Sequence, residues 1–545
     1  MKDKLKIQEK LIAWSLVVVT LSVTPTFSYD PINVFRFFTL AIFGFISFIL
    51  VLINWRKLVN KSKLLVFISL GFITGSTISF LASDMNLPDR ILGVTGRQTG
   101  YLTYLFLLSL LVFTAQVSSD HLNSRIVKIL MVTGLISAMY GVLQSFNLDL
   151  FEWINPYSKV FGLFGNPNFL SSFMGISATV SFAILIGISA KKLSRVFSGL
   201  YVLLSLFIIF KTNSQQGYLV LFFGVLVVGM LWVKTSSRFS KFTLTYLLFM
   251  ILGSIFVVLD ILQKSPWTSI LYKESVALRG DFWRTGWNIT KDNPFFGVGL
   301  DGYRDSFRLY RDQIATNRSP DSTISSAHNV FLDISSGGGL VLLAFYLLII
   351  CYTLVSAVKV FSRSTEFNAN FAGIFGAWVA YLAQSFISIN QIGLAIWGWI
   401  LSGFIIGYEI NTRSQLKEEK KFKIGGLKVA VVVGLPMAIV VALPLVIADA
   451  EFRSTIKSGD VLKIEENLDR WPQSVIRMNI ASQIFSDGGL ADRALVISKK
   501  AVDLNPYNFE AWERIYLNPV TDSKLKLEAL NNMNNLDPLN SRDSD

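Results

Sequence analysis

The chain has 545 residues, of which 52% are hydrophobic and only 16% charged, and a formal net charge of +13. A soluble protein of this length needs more charge to cover its surface, so composition excludes a soluble enzyme and sets the membrane class. The basic residues sit in short loops between apolar runs rather than on one face, which argues against nucleic acid as a partner and makes the lipid bilayer the surrounding medium.

In chain order, apolar runs of about twenty residues match the hydrocarbon thickness of a bilayer. They predict an all-α polytopic bundle of about thirteen spans, near 11–28, 33–53, 64–82, 100–117, 126–146, 168–189, 194–210, 217–233, 242–262, 339–358, 371–389, 392–410 and 427–448. The N-terminus carries Lys2, Lys4, Lys6 and Lys10, and the next loop on that side carries Arg56, Lys57, Lys61 and Lys63. Lys191, Lys192, Arg195, Lys234, Arg238 and Lys241 follow, then Arg413, Lys417, Lys420, Lys421, Lys423 and Lys428. That bias fixes these loops inside. No small-residue cleavage site follows the first run, so it is expected to be a retained span rather than a signal peptide. Cys351 is the single cysteine and lies in an apolar run, so no intramolecular disulfide is expected.

This orientation divides the chain into spans 1–9 over 1–262, an outside loop over 263–338, spans 10–13 over 339–448 and a soluble tail over 449–545. The short loops around Asp30, Arg97, Asn166 and Gln215 are also placed outside. In the tail, Trp471-Pro472, Asn505-Pro506-Tyr507-Asn508 and Asp537-Pro538-Leu539-Asn540 mark turns between helical runs, with the prolines about 34 and about 32 residues apart. That period is tetratricopeptide-like. Two readings stay open: a concave surface for a partner, or a helical cap packed on the membrane part.

Histidine is confined to His121 and His328. His121 lies beside Ser118, Ser119 and Asp120 in an inside loop and reads as solvated. His328 lies in Ser325-Ser-Ala-His-Asn-Val-Phe-Leu-Asp, where Ser325 or Ser326 is expected to cap a helix. A helix N-terminus disfavours the protonated imidazole, and a neutral ring can accept a proton as a general base. A structural histidine bonded to a loop carbonyl is the other reading. The run Gly337–Gly339 is expected to break this helix before the next span. The outside loop also holds Arg279, Arg284, Arg304, Arg308, Arg311 and Arg318, against the positive-inside trend. Guanidinium groups suit a diphosphate at a membrane surface. For most of these arginines, ion pairs with Asp281, Asp305 and Asp312 are the better expectation. Polar groups at span ends in Gly93…Gly100, Phe164-Gly-Asn-Pro-Asn168 and Thr212-Asn-Ser-Gln-Gln-Gly217 mark further site candidates; Asn166-Pro-Asn168 reads equally as a plain turn and helix cap.

Taken in order, these segments resemble the O-antigen ligase family of bacterial lipid-linked glycan transferases. The resemblance covers roughly residues 90–410 and rests on Gly93…Arg97…Gly100, Gly141-Val-Leu-Gln144, Phe164-Gly-Asn-Pro-Asn168, Ser214…Gly217, Arg279, Pro294…Gly297-Val-Gly299 and His328-Asn329 with Gly337–Gly339. Gln384-Ser385, Ser388-Ile-Asn-Gln391 and Trp397 resemble the ligase-like and protein-glycosylating members, some of which have a tetratricopeptide-like tail. The resemblance implies a glycosyltransferase of the C superfamily with a helical membrane fold. It implies a glycan donor on undecaprenyl diphosphate, an inverting reaction on the periplasmic side of the cytoplasmic membrane, and neither metal nor other cofactor. By resemblance His328 takes the acceptor proton, Arg279 holds the donor diphosphate, and Arg97 assists. Where the family has an arginine after the serine of the Ser214 segment, this chain has Gln215; either Lys211, Arg97 or Arg284 then supplies the charge, or the donor is held differently. Asn166, Asn168, Ser214, Gly217 and Asn329 are expected to shape the site. The acceptor implied is lipid A core, protein or another surface hydroxyl. A repeat-unit polymerase is the alternative within the class, and a polysaccharide flippase or transporter the alternative outside it; no internal repeat among the spans favours the latter.

Overall fold

The computed structural model describes residues 2–153, 158–187, 190–236, 239–261, 274–414 and 424–542. The basic loop residues Arg238, Lys417, Lys420, Lys421 and Lys423, and the start of the expected outside loop, lie outside the described residues. Those described form helices and loops with no strand among them. Each expected span overlaps a helix. Ten of the described helices are long and apolar enough to cross a membrane. Tyr101–Val117 is a shorter apolar helix, and Lys2–Leu21 has a charged first half. The chain is a multi-pass helical membrane protein.

The centre of the bundle is Ile392–Ser414, whose apolar stretch is buried all round. Glycine makes that possible: a Cβ at Gly403 would lie 2.1 Å from the Leu111 carbonyl oxygen, and one at Gly407 2.2 Å from that of Ala115. Small residues allow Tyr101–Val117 to pack backbone against backbone, as lipid-embedded helices require. Asn33–Ile53 packs between Tyr101–Val117 and Ile424–Ser458, while Pro167–Ile186 packs on Lys192–Lys211, Gln216–Thr235 and Ala369–Ile387.

Four elements differ from expectation. The first helix runs from Lys2 to Leu21 rather than over 11–28. Asp120–Ser145 begins six residues before the expected span, because Ser119 caps it by accepting from the Leu122 N–H. The helix expected to break at the glycine run continues from Val330 to Arg363 and kinks at Gly339, where φ is 74°. The last helix runs unbroken from Ile424 to Ser458, so the boundary expected at 448 falls inside it.

Beyond Ser458 the tail forms Val461–Asp469 and two helix pairs, Val475–Asp487 with Ala491–Leu504 and Phe509–Leu517 with Ser523–Leu536. The first two expected turn marks fall between these helices and the third follows the last of them; their core is built on Phe452, Met478, Phe485, Ile497 and Trp512. The tail sits on the loops at one end of the bundle. Asp449 accepts from the Tyr29 and Asp30 N–H groups, and Arg453 donates to the carbonyls of Pro25 and Ser28. Ser474 and Thr95 share a hydroxyl hydrogen bond. Asn505 and Asn508 donate to Asp305, and Arg304 pairs with Glu510 at 2.7 Å. Asp537, fully buried, pairs with Arg308 at 2.8 Å and with Arg311 at 2.7 Å. The loop arginines expected to find aspartates thus do find carboxylates, but three of them use the tail's.

Candidate functional site

Two glycine-bearing segments build the platform. The backbone of Pro294–Gly299 docks on the kinked helix: Val298 N–H donates to the Ser336 carbonyl, Gly299 N–H to Gly337 and Leu340 N–H to Pro294, at 2.9, 2.9 and 2.7 Å. Gly297 and Gly339 both have positive φ, and a Cβ on either would lie within 2.4 Å of backbone across this contact. The loop Gly93–Gly100 then closes around Asp301, whose carboxylate accepts from the N–H groups of Val94 and Thr99 and from the Thr99 hydroxyl.

Arg97 projects from that loop into a buried position. Its guanidinium lies 3.3 Å from Asp301 and 3.6 Å from Asp333 and donates to the Ser325 carbonyl at 2.7 Å. Burial alone would lower the Arg97 pKa, but the two carboxylates outweigh it and raise it. Asp333 in turn accepts from the Ser326 hydroxyl and the Ala327 N–H. Arg97 therefore ties the Gly93–Gly100 loop to the segment that carries His328.

His328 precedes the helix rather than lying within its first turn. Asn329 is the cap, accepting from the N–H groups of Phe331 and Leu332, and Ser326 accepts from the His328 N–H at 2.9 Å. The expected serine cap is thus replaced by Asn329, because His328 is in the left-handed region at φ 52°. Such a conformation is uncommon for a side-chain-bearing residue and is found where function requires a particular aim. The imidazole lies over Phe282, ring centroids 5.4 Å apart. Burial, then the charges of Arg279 and Arg97, push its pKa from 6.5 down to about 3, so the ring is neutral near pH 7.

Arg279 lies on the helix Glu274–Asp292, one turn before Phe282. Burial lowers its pKa from 12.5 to about 10, and no carboxylate among the described residues acts to restore it. A largely buried guanidinium without a counter-ion is costly. Arg284, on the same helix, differs: it pairs with Asp281 and Asp312 at 2.5 Å each, and Arg318 pairs with Asp281 at 2.6 Å.

A second cluster forms where two helices start. Asn166 caps Pro167–Ile186 by accepting from the Asn168 N–H, and Ser214 donates to Asn168 at 2.7 Å. Gly217 is small because a Cβ there would lie 2.7 Å from Ser171. Gln215 stands at the start of Gln216–Thr235 and makes no capping hydrogen bond. Lys211 is exposed, its ammonium 5.5 Å from the Phe207 ring centroid. Arg97 and Asn166 both line one small cleft, which joins this cluster to the first. His121 is at the other end of the bundle, half-exposed and 2.6 Å from Glu9.

Asp301 and Asp333 have no assigned role in the sequence reading, yet they hold Arg97. Asp333 is legible in retrospect as an acid in the first turn after the Asn329 cap; for Asp301 the signal is its place between Gly299 and Gly302 in a tight turn.

The chain is thus a multi-pass helical bundle whose loops gather, at one end, a neutral histidine and an arginine with no carboxylate partner among the described residues. Residues 200–347 match the O-antigen ligase family. That stretch is an O-antigen ligase domain and supports the ligase- and polymerase-type glycosyltransferase family that the motifs resemble. The matched stretch contains Lys211, Ser214, Gln215, Gly217, Arg279, Arg284, His328, Asn329 and the Gly337–Gly339 kink. No curated protein matches the chain.

Proposed function

We propose that this protein transfers a glycan from undecaprenyl diphosphate to a hydroxyl of lipid A core, protein or another surface acceptor, at the periplasmic face of the cytoplasmic membrane. The observation that carries the reading is a neutral, half-buried His328 within the electrostatic reach of Arg279, a half-buried cation with no carboxylate partner among the described residues. The acceptor O–H gives its proton to the His328 ring as its oxygen bonds to the anomeric carbon. The bond from that carbon to the diphosphate oxygen breaks on the opposite side, which inverts the centre. Undecaprenyl diphosphate leaves with the electron pair, and its growing charge meets Arg279, whose desolvated guanidinium is worth more there than in water. This assigns the leaving-group charge to arginine rather than to a divalent cation. Arg97 positions His328 through Ser325 and Asp333. Gln215 and Lys211, from the neighbouring cluster, and Arg284, already ion-paired, take lesser parts in holding the donor. The positive-inside bias supports the sidedness, and the docked tail supports a sizeable acceptor over a growing repeat-unit chain. The tetratricopeptide-like assignment of that tail is part of the proposal and rests on its helix pairs and their spacing.

The test is incubation of the purified protein with undecaprenyl diphosphate glycan and candidate acceptors, followed by mass analysis. His328→Ala is expected to lower the rate about 10²–10⁴-fold, the usual range for a general base, while the protein still inserts. Arg279→Ala is expected to raise donor KM at least tenfold. Wild-type activity in His328→Ala would remove the base, and unchanged donor KM in Arg279→Ala would remove the diphosphate site.

A further inference from the structure

We propose that the cleft beside Arg97 is a subsite for one sugar ring, an inference that rests on the transferase reading for the identity of the glycan but not for the chemistry of the cleft. The cleft has a volume of about 170 Å³, and its lining includes Asn33, Arg97, Asn166, Phe169, Asn390 and Gln391. It opens between the outer starts of the helices Asn33–Ile53, Pro167–Ile186 and Ile392–Ser414.

Gln391 is the decisive residue. It is 4% exposed, and neither its amide oxygen nor its amide nitrogen has a hydrogen-bond partner among the described residues. An unmet buried polar atom costs about 1–3 kcal/mol, so a side chain with both ends unmet calls for a ligand that offers a donor and an acceptor together. The residues around it already have partners that fix them. Asn33 donates to the Gly96 carbonyl at 2.8 Å, and Asn390 to the Tyr104 hydroxyl at 3.2 Å. Behind Gln391 the guanidinium of Arg36, fully buried, donates through Nη2 to the Thr20 and Leu163 carbonyls, while its Nε and Nη1 have no partner among the described residues. A Cβ on Gly393 would meet Arg36 at 3.0 Å and Gln391 at 3.2 Å, so the glycine leaves room for both.

The choice of ligand follows from what these groups can satisfy. Vicinal hydroxyls each donate and accept, and they match both ends of one amide. A phosphate would meet the amide nitrogen and leave the oxygen facing negative charge; an acyl chain would meet neither. Phe164 and Phe169 supply apolar wall for the C–H face of a ring. The volume is below the roughly 300–1,000 Å³ of pockets for drug-sized ligands, which suits one ring of a longer glycan. Through Arg97 the cleft reaches the His328 segment, so the ring held is that next to the donor diphosphate or that bearing the acceptor hydroxyl.

The full-length protein in nanodiscs is tested with the free oligosaccharide released from its donor by mild acid, by saturation-transfer NMR, for wild type, Gln391→Leu and Arg279→Ala. Gln391→Leu replaces an unsatisfied amide with a slightly smaller apolar side chain, so its melting temperature is expected to equal or exceed that of wild type. It is expected to lose the saccharide signal, while Arg279→Ala keeps it. In transfer assays Gln391→Leu is expected to raise the KM of one substrate about tenfold; a rise for the donor or for the acceptor identifies the source of the ring. An undiminished saccharide signal in Gln391→Leu, or none in wild type, overturns the subsite. Normal transfer by Arg279→Ala alongside lost saccharide binding in Gln391→Leu would instead reject the diphosphate assignment and leave the subsite standing.

Discussion

Replacing Asp537 with asparagine tests how the tail is held on the loops beside the site. Asp537 is fully buried and faces two guanidinium groups, those of Arg308 and Arg311, themselves 4% and 0% exposed. The asparagine side chain would keep the shape and one acceptor oxygen but remove the charge, leaving two buried cations. Breaking a buried ion pair costs about 3–5 kcal/mol. Here the loop carbonyls of Ser319, Pro320 and Asp321 still accept from these arginines, and Arg308 still lies 4.0 Å from the Phe509 ring centroid. The loss therefore falls near the lower end, about 3 kcal/mol, which is a rise of about two orders of magnitude in the open population of the last helix pair. Hydrogen–deuterium exchange of Ser523–Leu536 in nanodiscs reads this directly. The membrane helices and Val475–Asp487, anchored separately through Asp449, Arg453 and Ser474, are expected to exchange as in wild type. Exchange of Ser523–Leu536 within threefold of wild type would refute the view that the buried charge cluster clamps the tail.

Two further outcomes follow from the site itself. The folded pKa of His328 lies at about 3, below its ordinary 6.5; its depressed value means that stability from burying the neutral ring is complete above about 6.5 and is lost as pH falls toward 3. The kcat/KM profile of the free enzyme is therefore expected to show no histidine step between pH 8 and 5, and an inflection near 6.5 that disappears in His328→Ala would contradict the burial argument. Gly93→Ala is expected to melt at lower temperature by several degrees and to lose most transfer activity, because its Cβ would lie 2.4 Å from the Thr99 nitrogen and 2.6 Å from Asp301, at a φ of 92°. A variant with wild-type melting and rate would show that the loop does not need its grip on Asp301.

The sequence by itself determined the class of the protein, the positions of its helices and the identity of its two most unusual polar residues. Those features are local: a run of apolar residues long enough to span lipid reads as a helix whatever it packs against, and a histidine or arginine outside the positive-inside pattern is conspicuous without a partner. The same locality explains what was misplaced. Ser325 and Ser326 look as good a cap as Asn329, and only the φ of His328 decides between them. Gly337–Gly339 reads as a break, yet the docked backbone of Pro294–Gly299 meets the orphaned hydrogen-bonding groups and turns the break into a kink. Tertiary structure alone decided which charges face each other. Asp301 and Asp333 capture Arg97 across about 200 residues of chain, the tail's Asp537 captures Arg308 and Arg311, and Arg279 is left without a carboxylate among the described residues. Pairing of charges depends on distances through space, which the order of residues along a chain does not encode one pair at a time, and it is that pairing that separates a structural arginine from one available to a substrate.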